Sequence, residues 1–420
     1  MLNFKKLNGG ETMAKKLWNK DYILLLQANA VSTIGDLMYS VAIGYWVYNQ
    51  TGSSGLMGIM TSVSMFVTMF LSPFCGSIVD KCNRKWVIVG LDAFQGILML
   101  SVGALAYMNV LSVPIVLFSA LLAAFGGVFY SPAISTIMLD IIPRDDMVRG
   151  QSILSGISTF IDLVGTALSG VMVVFLGVPL IVVLNGLSNL YSALTESLVS
   201  VPKTLHQGEK VTAKRILSDS KKAVGIIFSN AFLSIFVPCA LILNLLGSGP
   251  FALMLPFCLE KGFDVERYGY LVSVFTVAQL LAMLILGAIK FKAKTRFWVM
   301  AFGFSLSVPA MALAFLSKQF IFICIFAFLG GLLNCAGNAV FKASLMLALP
   351  QENRSTILGF IQSASVGGRA LSALIYGLLG DIFPLYIIFI IGNIISLAPM
   401  IYMSFHPRAK EFILEHCEGN

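Results

Sequence analysis

The chain has 420 residues, of which 58% are hydrophobic and only 11% are charged, and its formal net charge is +8. A soluble domain carries about 25% charged residues, so this chain has too few charges to cover a water-facing surface. Its basic residues lie in short gaps between long apolar runs and form no single patch, which argues against nucleic-acid binding. Lipid is therefore expected to be its main solvent.

The N-terminal segment, residues 1–21, is predicted to be cytoplasmic. The apolar run after it continues to Tyr48, which is too long for the core of a signal peptide, and no small-residue cleavage site ends it. The stretch Asn-Gly-Gly-Glu at residues 8–11 is what a purine-rich ribosome-binding sequence would encode if it were translated. We hypothesise that translation starts at Met13, and finding residues 1–12 by N-terminal sequencing of the native protein would reject this.

Twelve apolar segments are long enough to cross a membrane, since a spanning helix needs roughly 20 mainly apolar residues. Six of them precede a polar segment, 202–229, and six follow it. The predicted spans are 22–48, 54–79, 86–108, 113–139, 151–176, 179–200, 230–258, 267–290, 297–317, 319–348, 355–380 and 383–404. The predicted fold class is an all-α integral membrane protein with twelve transmembrane helices.

Lysine and arginine residues set the expected orientation. With the N-terminus in the cytoplasm, the inside segments hold 23 of these residues and the outside segments hold Lys261, Arg267 and Lys318. The positive-inside rule therefore predicts that both termini are cytoplasmic. The two remaining basic residues, Lys342 and Arg369, lie within apolar spans.

The two sets of six helices show signs of an internal repeat. Gly58 and Gly76 lie 211 residues before Gly269 and Gly287, and each pair brackets the second helix of its set. Two six-helix halves in the same orientation are related by a pseudo-two-fold axis along the membrane normal, with the substrate site between them. The predicted units are an N-terminal segment (1–21), an N-terminal half (22–200), a cytoplasmic central loop (201–229), a C-terminal half (230–404) and a cytoplasmic tail (405–420).

Polar side chains recur at helical spacing inside four of the apolar spans. Side chains this deep must face protein or water, because a charge facing hydrocarbon costs several kcal/mol. The alternative for the neutral residues is that they only hold helices together by hydrogen bonds. The candidates for proton coupling or for the substrate cavity are Asn29, Ser32, Thr33 and Asp36 in helix 1, Asp162 in helix 5, Asn334 and Asn338 in helix 10, and Gln362 and Arg369 in helix 11.

Asp36 is the leading candidate because it lies near the middle of helix 1. Its carboxyl group could take up and release a proton and so couple proton entry to substrate exit, or it could bind a cationic substrate. Asp162 lies at a similar depth, and Arg369 is expected to pair with one of the two aspartates across the halves. Asp92 is expected to be structural, and Glu196, nearly at the end of helix 6, is expected to reach water. Glu196 belongs to a polar stripe in helix 6 that has no explanation from the sequence: Asn185, Ser188, Asn189, Ser192 and Glu196.

The loop after helix 2 combines a glycine, an aspartate and basic residues, namely Gly76, Asp80, Lys81, Arg84 and Lys85. This segment resembles the GxxxDRxxRK signature of the major facilitator superfamily, from which Lys81 and Asn83 depart. The resemblance implies a conformational latch that holds the cytoplasmic side shut. In that latch Asp80 would face the positive N-terminus of helix 11.

Further segments resemble the macrolide-efflux branch of that superfamily, which contains drug:proton antiporters. They are Ser-Thr-Ile-Gly-Asp at 32–36, Tyr-Asn-Gln-Thr-Gly-Ser at 48–53 and Phe-Tyr-Ser-Pro-Ala at 129–133. The resemblance covers almost the whole chain and implies twelve helices in the plasma membrane, alternating access and proton-driven export.

Helix 5 resembles the antiporter motif GPxxGG at Gly165, Thr166 and Gly170, with Thr166 in place of proline and Ser169 in place of glycine. Helix 4 also lacks the intramembrane arginine that other proton-coupled drug exporters place there. These departures argue against a proline kink in helix 5 and against strict coupling to protons.

Nothing in the sequence indicates an enzyme, a cofactor or a metal site, since no GxxxxGK[ST] phosphate loop is present and the three histidines are scattered. The expected function is export of small amphipathic compounds in exchange for protons, by a monomer in the lipid bilayer. One alternative is an exporter of a specific endogenous metabolite, such as a siderophore or a signal peptide. The other is a membrane sensor that keeps the transporter fold without transport.

Overall fold

The computed structural model describes residues 18–79, 82–142, 147–200, 213–230, 233–288, 293–348 and 354–407, which form helices and no strand. The helices are α1 (Lys20–Thr51), α2 (Ser54–Val79), α3 (Arg84–Tyr107), α4 (Val113–Ile141), α5 (Met147–Ser197), α6 (Ala213–Ser229), α7 (Leu233–Gly247), α8 (Gly249–Ala252), α9 (Met254–Glu260), α10 (Val265–Ala288), α11 (Ala293–Leu316), α12 (Phe320–Ala348), α13 (Arg354–Gly380) and α14 (Leu385–Phe405). Most of the predicted spans end within about four residues of these bounds.

The predicted helices 5 and 6 are two arms of α5, residues 147–176 and 178–197, which meet at Gly177. Gly177 has φ 72° and ψ 160°. A positive φ is open to glycine but strained for other residues, so this glycine lets the chain turn between the two arms. Pro179 follows at the beginning of the second arm, where its missing N–H costs no helical hydrogen bond.

The predicted seventh helix, 230–258, is divided into α7, α8 and α9 by breaks at Ser248 and Leu253. Pro250 and Pro256 follow the two breaks. Proline lacks a backbone N–H and its ring clashes with the preceding turn, so an unbroken helix is unfavourable here. Together, α7, α8 and α9 make one crossing of the membrane. With it, the described part of the chain has twelve crossings, the number that was predicted.

The end of the bundle at which α1 begins and α14 ends is called here the terminal end, and the opposite end the distal end. At the terminal end, the Asn19 side chain donates to the carbonyl of Ile141 at 3.1 Å. The Tyr22 hydroxyl donates to the carbonyl of Gly150 at 2.8 Å. These two bonds fasten the beginning of α1 to the end of α4 and the beginning of α5.

The helices pack in two groups of six crossings. In the N-terminal half, α5 packs on α1 and α3, while α4 packs on α2 and α3; in the C-terminal half, α12 packs on α10 and α11, while α14 packs on α7 and α11. The halves meet where α2 packs on α13 and where α5 packs on α10. The second crossing of each half therefore contacts the fifth crossing of the other, as a pseudo-two-fold axis along the membrane normal requires.

The described residues form three hydrophobic cores inside the bundle. The distal core takes residues from both halves, including Ile43 and Val182 of the first and Phe257 and Phe389 of the second. The other two cores lie toward the terminal end, and each belongs to one half: residues 22–199 supply one and residues 223–403 supply the other. Apolar packing thus joins the halves at the distal end.

A helix occupies part of the segment predicted to be a central loop. The predicted loop covers 201–229, and α6 begins within it at Ala213, whereas 201–212 lie outside the described residues. Ala223 and Ile227 are buried in the core of the C-terminal half. Lys221 and Lys222 are exposed. This segment is therefore an amphipathic helix that packs against the C-terminal half.

In the described part of the chain, nine helical segments are long and apolar enough to cross a membrane by composition. The three crossings outside this set are α1, the first arm of α5 and α13. They carry Asp36, Asp162 and Arg369, respectively. These crossings are less apolar because one face of each is polar, and such a face is suited to a cavity inside the bundle.

Candidate functional site

Asp36 is held by two amide side chains of the second arm of α5. Its Oδ1 accepts a hydrogen bond from Asn185 Nδ2 at 2.8 Å and a longer one from Asn189 Nδ2 at 3.3 Å. The two asparagines are four residues apart, so they project from the same face of the arm. Gly35 allows the close approach, because a Cβ there would lie 3.0 Å from Asn185 Nδ2 and 3.1 Å from Ser188 Cβ.

The stripe of helix 6 that had no explanation from the sequence contacts polar residues of two neighbouring helices, Asp36 of α1 and Tyr130 of α4. Next along the stripe, Ser192 and Glu196 are fully buried. Glu196 Oε1 accepts a hydrogen bond from the Tyr130 hydroxyl at 2.8 Å. Glu196 was expected to reach water, and this is wrong: its side chain is fully buried and is bonded to Tyr130 of α4. The spacing showed that these residues share a face, but it did not show which helices this face contacts.

A polar cavity of about 200 Å³ lies inside the N-terminal half. The predicted helix-1 residues Asn29, Ser32, Thr33 and Asp36 all line it, and so does Asp92. The Asp36 side chain is accessible within this cavity, whereas Asp92 is only 7% exposed. Among the described residues, Asp92 Oδ2 has no hydrogen-bond partner. Two carboxyl groups from α1 and α3 therefore share one small polar space.

A second and larger cavity, of about 600 Å³, lies inside the C-terminal half. The predicted residues of helices 10 and 11 that line it are Asn334, Asn338, Gln362 and Arg369. Asn338 Nδ2 donates to Asn334 Oδ1 at 2.8 Å. Lys342 also lines this cavity, although sequence reasoning did not select it as a site residue.

The structure places Arg369 and Asp36 in different cavities, one in each half. The expected ion pair between Arg369 and an aspartate of the other half is not formed; within the described ranges, Arg369 makes no ion pair at all. Asp36 is instead held by the two asparagines of its own half. The two cavities therefore differ in charge: the N-terminal one is acidic and the C-terminal one is basic.

The first arm of α5 carries Asp162 and the antiporter-like motif. Asp162 has an exposed side chain. A Cβ added to Gly170 would lie 2.6 Å from the carbonyl oxygen of Val265. Gly170 therefore permits close contact between this arm and the beginning of α10, across the two halves. Gly165 is buried, and the side chain of Thr166 lies outside the described residues.

Only part of the predicted latch after helix 2 lies in the described residues. Gly76 is in the last turn of α2, and Asp80 and Lys81 are not described. Arg84 is buried at the beginning of α3. Lys85 Nζ lies 5.6 Å from the ring centroid of Trp86. The predicted contact with the beginning of helix 11 therefore stays a prediction.

A carboxylate bridge joins the halves at the distal end, which sequence reasoning missed. Asp381 follows the last residue of α13, and its Oδ1 accepts from the Gly55 backbone N–H at 2.9 Å and from the Ser54 hydroxyl at 3.1 Å. Its Oδ2 accepts from the Ser53 hydroxyl at 2.8 Å. Asp381 thus caps the positive N-terminus of α2 from the other half.

Small residues let α2 and α13 make close contact on the side of this bridge that faces the terminal end. A Cβ at Gly377 would lie 3.0 Å from both the Gly58 Cα and the Ser54 carbonyl oxygen. Further along, the Ser62 hydroxyl donates to the carbonyl of Ala370 at 2.8 Å. The two helices therefore pack backbone against backbone at the distal end.

Comparison with known proteins agrees with this architecture. A family model described as Major Facilitator Superfamily matches residues 25–265 and 238–412. Macrolide efflux protein A of Streptococcus pyogenes is 21% identical over 189 residues, which are 44% of this chain and 46% of that protein. The putative bacilysin exporter BacE of Bacillus subtilis is 26% identical over 223 residues, 51% of this chain and 52% of that protein. The chain thus matches about half the length of these relatives.

Solved structures show the same fold at low sequence identity. A bacterial homolog to the human lysosomal transporter Spinster, in an inward-facing and unoccupied conformation, superposes with a TM-score of 0.68 at 15% identity, covering 94% of this chain and 97% of that one. The nucleoside transporter NupG superposes with a TM-score of 0.69 at 14% identity, covering 90% of this chain and 98% of that one. Since the family model matches most of the sequence and the helices adopt this arrangement, the chain belongs to the major facilitator superfamily.

Proposed function

We propose that this protein is a secondary active transporter that exports amphipathic small molecules in exchange for protons. The observation that carries the proposal is the position of Asp36. It lies 16 residues after the beginning of α1, so it is about 24 Å along the helix at 1.5 Å per residue. The whole helix has 32 residues and is about 48 Å long, so Asp36 lies at its midpoint. A helix centred in the bilayer would hold it near the middle of a hydrocarbon core of about 30 Å.

The surroundings of Asp36 suit a group that gains and loses a proton during transport. Its hydrogen-bond partners include two neutral amides, and its side chain is accessible in a polar cavity. Water in that cavity would give a proton a path to the carboxyl group. A charged carboxylate at this depth is unfavourable, and protonation removes the charge. Protonation would therefore change the interactions between α1 and the second arm of α5.

We assign the terminal end of the bundle to the cytoplasm, because the basic residues favour that orientation. The halves share one core at the distal end and have separate cores toward the terminal end. This is the arrangement expected of a transporter that is closed to the outside and open to the cytoplasm. Alternating access would then require the distal contacts between α2 and α13 to open.

Two relatives support the direction of transport, since their names describe a macrolide efflux protein and a putative bacilysin exporter. We propose the same direction, export, for this chain. The interface between the halves lies within one chain, so a monomer contains everything that the cycle needs.

The test is the accumulation of a fluorescent dye and a panel of macrolides in cells without their own efflux pumps. Wild-type protein is expected to lower accumulation, and Asp36→Asn or a protonophore is expected to abolish that effect. Asp264→Asn removes the same charge from an exposed distal position and is the matched control. Full export by Asp36→Asn would reject the coupling role. No export of any compound, by protein shown to be in the membrane, would favour an exporter of one endogenous metabolite.

A further inference from the structure

Two cationic side chains line the cavity of the C-terminal half. Arg369 lies 15 residues after the beginning of α13, about 22 Å along that helix. Lys342 lies six residues before the end of α12, about 9 Å from its terminal end. Both side chains are exposed within the structure. Since α13 has 27 residues and is about 40 Å long, Arg369 lies near the middle of this crossing, and Lys342 lies closer to the terminal end.

Neither side chain has an acidic partner in the part of the chain that the structure describes. The aspartates Asp36 and Asp92 line the separate cavity of the other half. A cation in the hydrocarbon region costs several kcal/mol and nearly always pairs with an anion or a carbonyl. Lys342 could reach the interface by extending its side chain, but Arg369 is too deep for that. A bound anion would therefore supply the partner that Arg369 lacks among the described residues.

The polar uncharged side chains around these cations are amides and hydroxyls, which can donate hydrogen bonds. Asn244, Gln362 and Ser365 line the same cavity as the two cations. The other walls are apolar, and include Phe304 and Phe341. A volume of about 600 Å³ is within the range of small-molecule sites, which are mostly apolar with a few placed polar groups. The cavity thus offers a positive, hydrogen-bonding side and an apolar side.

We propose that this cavity binds the anionic group of the transported compound, a carboxylate or a phosphate. The guanidinium group of Arg369 presents a planar fork of donors that matches either anion, and Lys342 adds a second positive charge. The inference rests on the proposed transport function and narrows it: the preferred substrates are amphipathic acids or zwitterions, with their apolar part against the aromatic wall. Compounds that carry only positive charge, such as macrolides with a single amino group, are expected to be exported less well than acids or zwitterions of similar size.

The test compares two dyes that differ only in the anionic group, tetramethylrhodamine with a free carboxylate and its methyl ester. Binding is measured by fluorescence anisotropy on purified full-length protein in nanodiscs of phosphatidylcholine. Wild-type protein is expected to bind the free acid at least tenfold more tightly than the ester. Arg369→Gln and Lys342→Gln are each expected to weaken binding of the acid about tenfold and to leave the ester unchanged.

Two further variants separate a binding role from a structural role. Arg369→Lys keeps the charge and is expected to retain most of the preference for the acid. Lys318→Gln removes one positive charge from an exposed distal loop and is expected to change nothing. Equal binding of both dyes by the wild type, or equal loss of both in Arg369→Gln, would overturn the anion site while leaving the proposed export intact. Failure of the wild type to bind either dye would also overturn the anion site, whereas export itself is decided by the accumulation assay.

A lipid headgroup could supply the same phosphate chemistry. The measurement is therefore repeated in nanodiscs that contain phosphatidylglycerol, an anionic lipid. Unchanged binding of the free acid supports a substrate site. Loss of that binding in the anionic nanodiscs would assign the two cations to a lipid and overturn the substrate assignment.

Discussion

Asp381 holds the two halves together at the distal end, and we expect its replacement by alanine to loosen that closure. The substitution removes the acceptor for the Gly55 backbone N–H and for the hydroxyls of Ser53 and Ser54. The N–H at the beginning of α2 then has no carboxylate partner from α13, and the positive end of the helix loses a facing negative charge.

The free energy lost in Asp381→Ala can be estimated from the kind of hydrogen bond that is removed. Loss of a capping side chain costs about 0.5–2 kcal/mol in proteins. The side chain of Asp381 is exposed, so its hydroxyl bonds add little, and a cost of about 1–2 kcal/mol is expected. That energy changes the ratio of open to closed distal ends by a factor of roughly 5–30.

Hydrogen exchange followed by mass spectrometry measures this ratio without labels on the seven cysteines of the chain. Peptides that cover the first turn of α2 are expected to exchange roughly 5–30-fold faster in Asp381→Ala than in the wild type. Asp264→Ala is the matched control, because Asp264 is also exposed and distal but its side chain makes no hydrogen bond to the other half among the described residues. Equal exchange in the wild type and in Asp381→Ala would show that this bond does not hold the halves together.

Two other predictions concern the acidic residues of the N-terminal half. Asn185→Ala should reduce proton-driven export more than Asn189→Ala, because Asn185 makes the shorter bond to Asp36; equal export by both variants in vesicles with an imposed pH gradient would contradict this. Tyr130→Phe removes the hydrogen bond to the fully buried Glu196, which should lower the free energy of unfolding by about 1–3 kcal/mol and lower the melting temperature of the purified protein. A melting temperature equal to that of the wild type would show that the bond is not needed for stability.

The crossings of the membrane could be predicted from the sequence because each needs a long apolar run with polar residues at both ends. The predicted span 54–79 has the same bounds as α2. The breaks around Ser248 and Leu253 were missed, since the run 230–258 stays apolar through them. The helix α6 was missed because its polar residues keep the mean hydropathy of the segment low. Its apolar face becomes visible only when the residues are placed at helical spacing.

The candidate site could be predicted only in part, because spacing within one helix shows which residues share a face but not what that face contacts. The helix-1 residues around Asp36 do line one cavity, as their common face suggested. The partners of Asp36 come from residues 149 and 153 positions away, in the stripe that had no explanation. The expected pairing of Arg369 failed in the same way, since the two halves carry their charges in separate cavities.

The carboxylate bridge at Asp381 has a counterpart in the sequence. Asp381 directly follows α13, and Asp80 directly follows α2, which packs on α13 in the opposite direction. If Asp80 caps α13 when the other end closes, each half-cycle exchanges one capped helix for another of similar energy. The two caps, each worth about 1–2 kcal/mol, would then nearly cancel in the free-energy difference between the two states. One proton moving down a difference of one pH unit releases about 1.4 kcal/mol, so a modest gradient would be enough to drive the protein through its cycle.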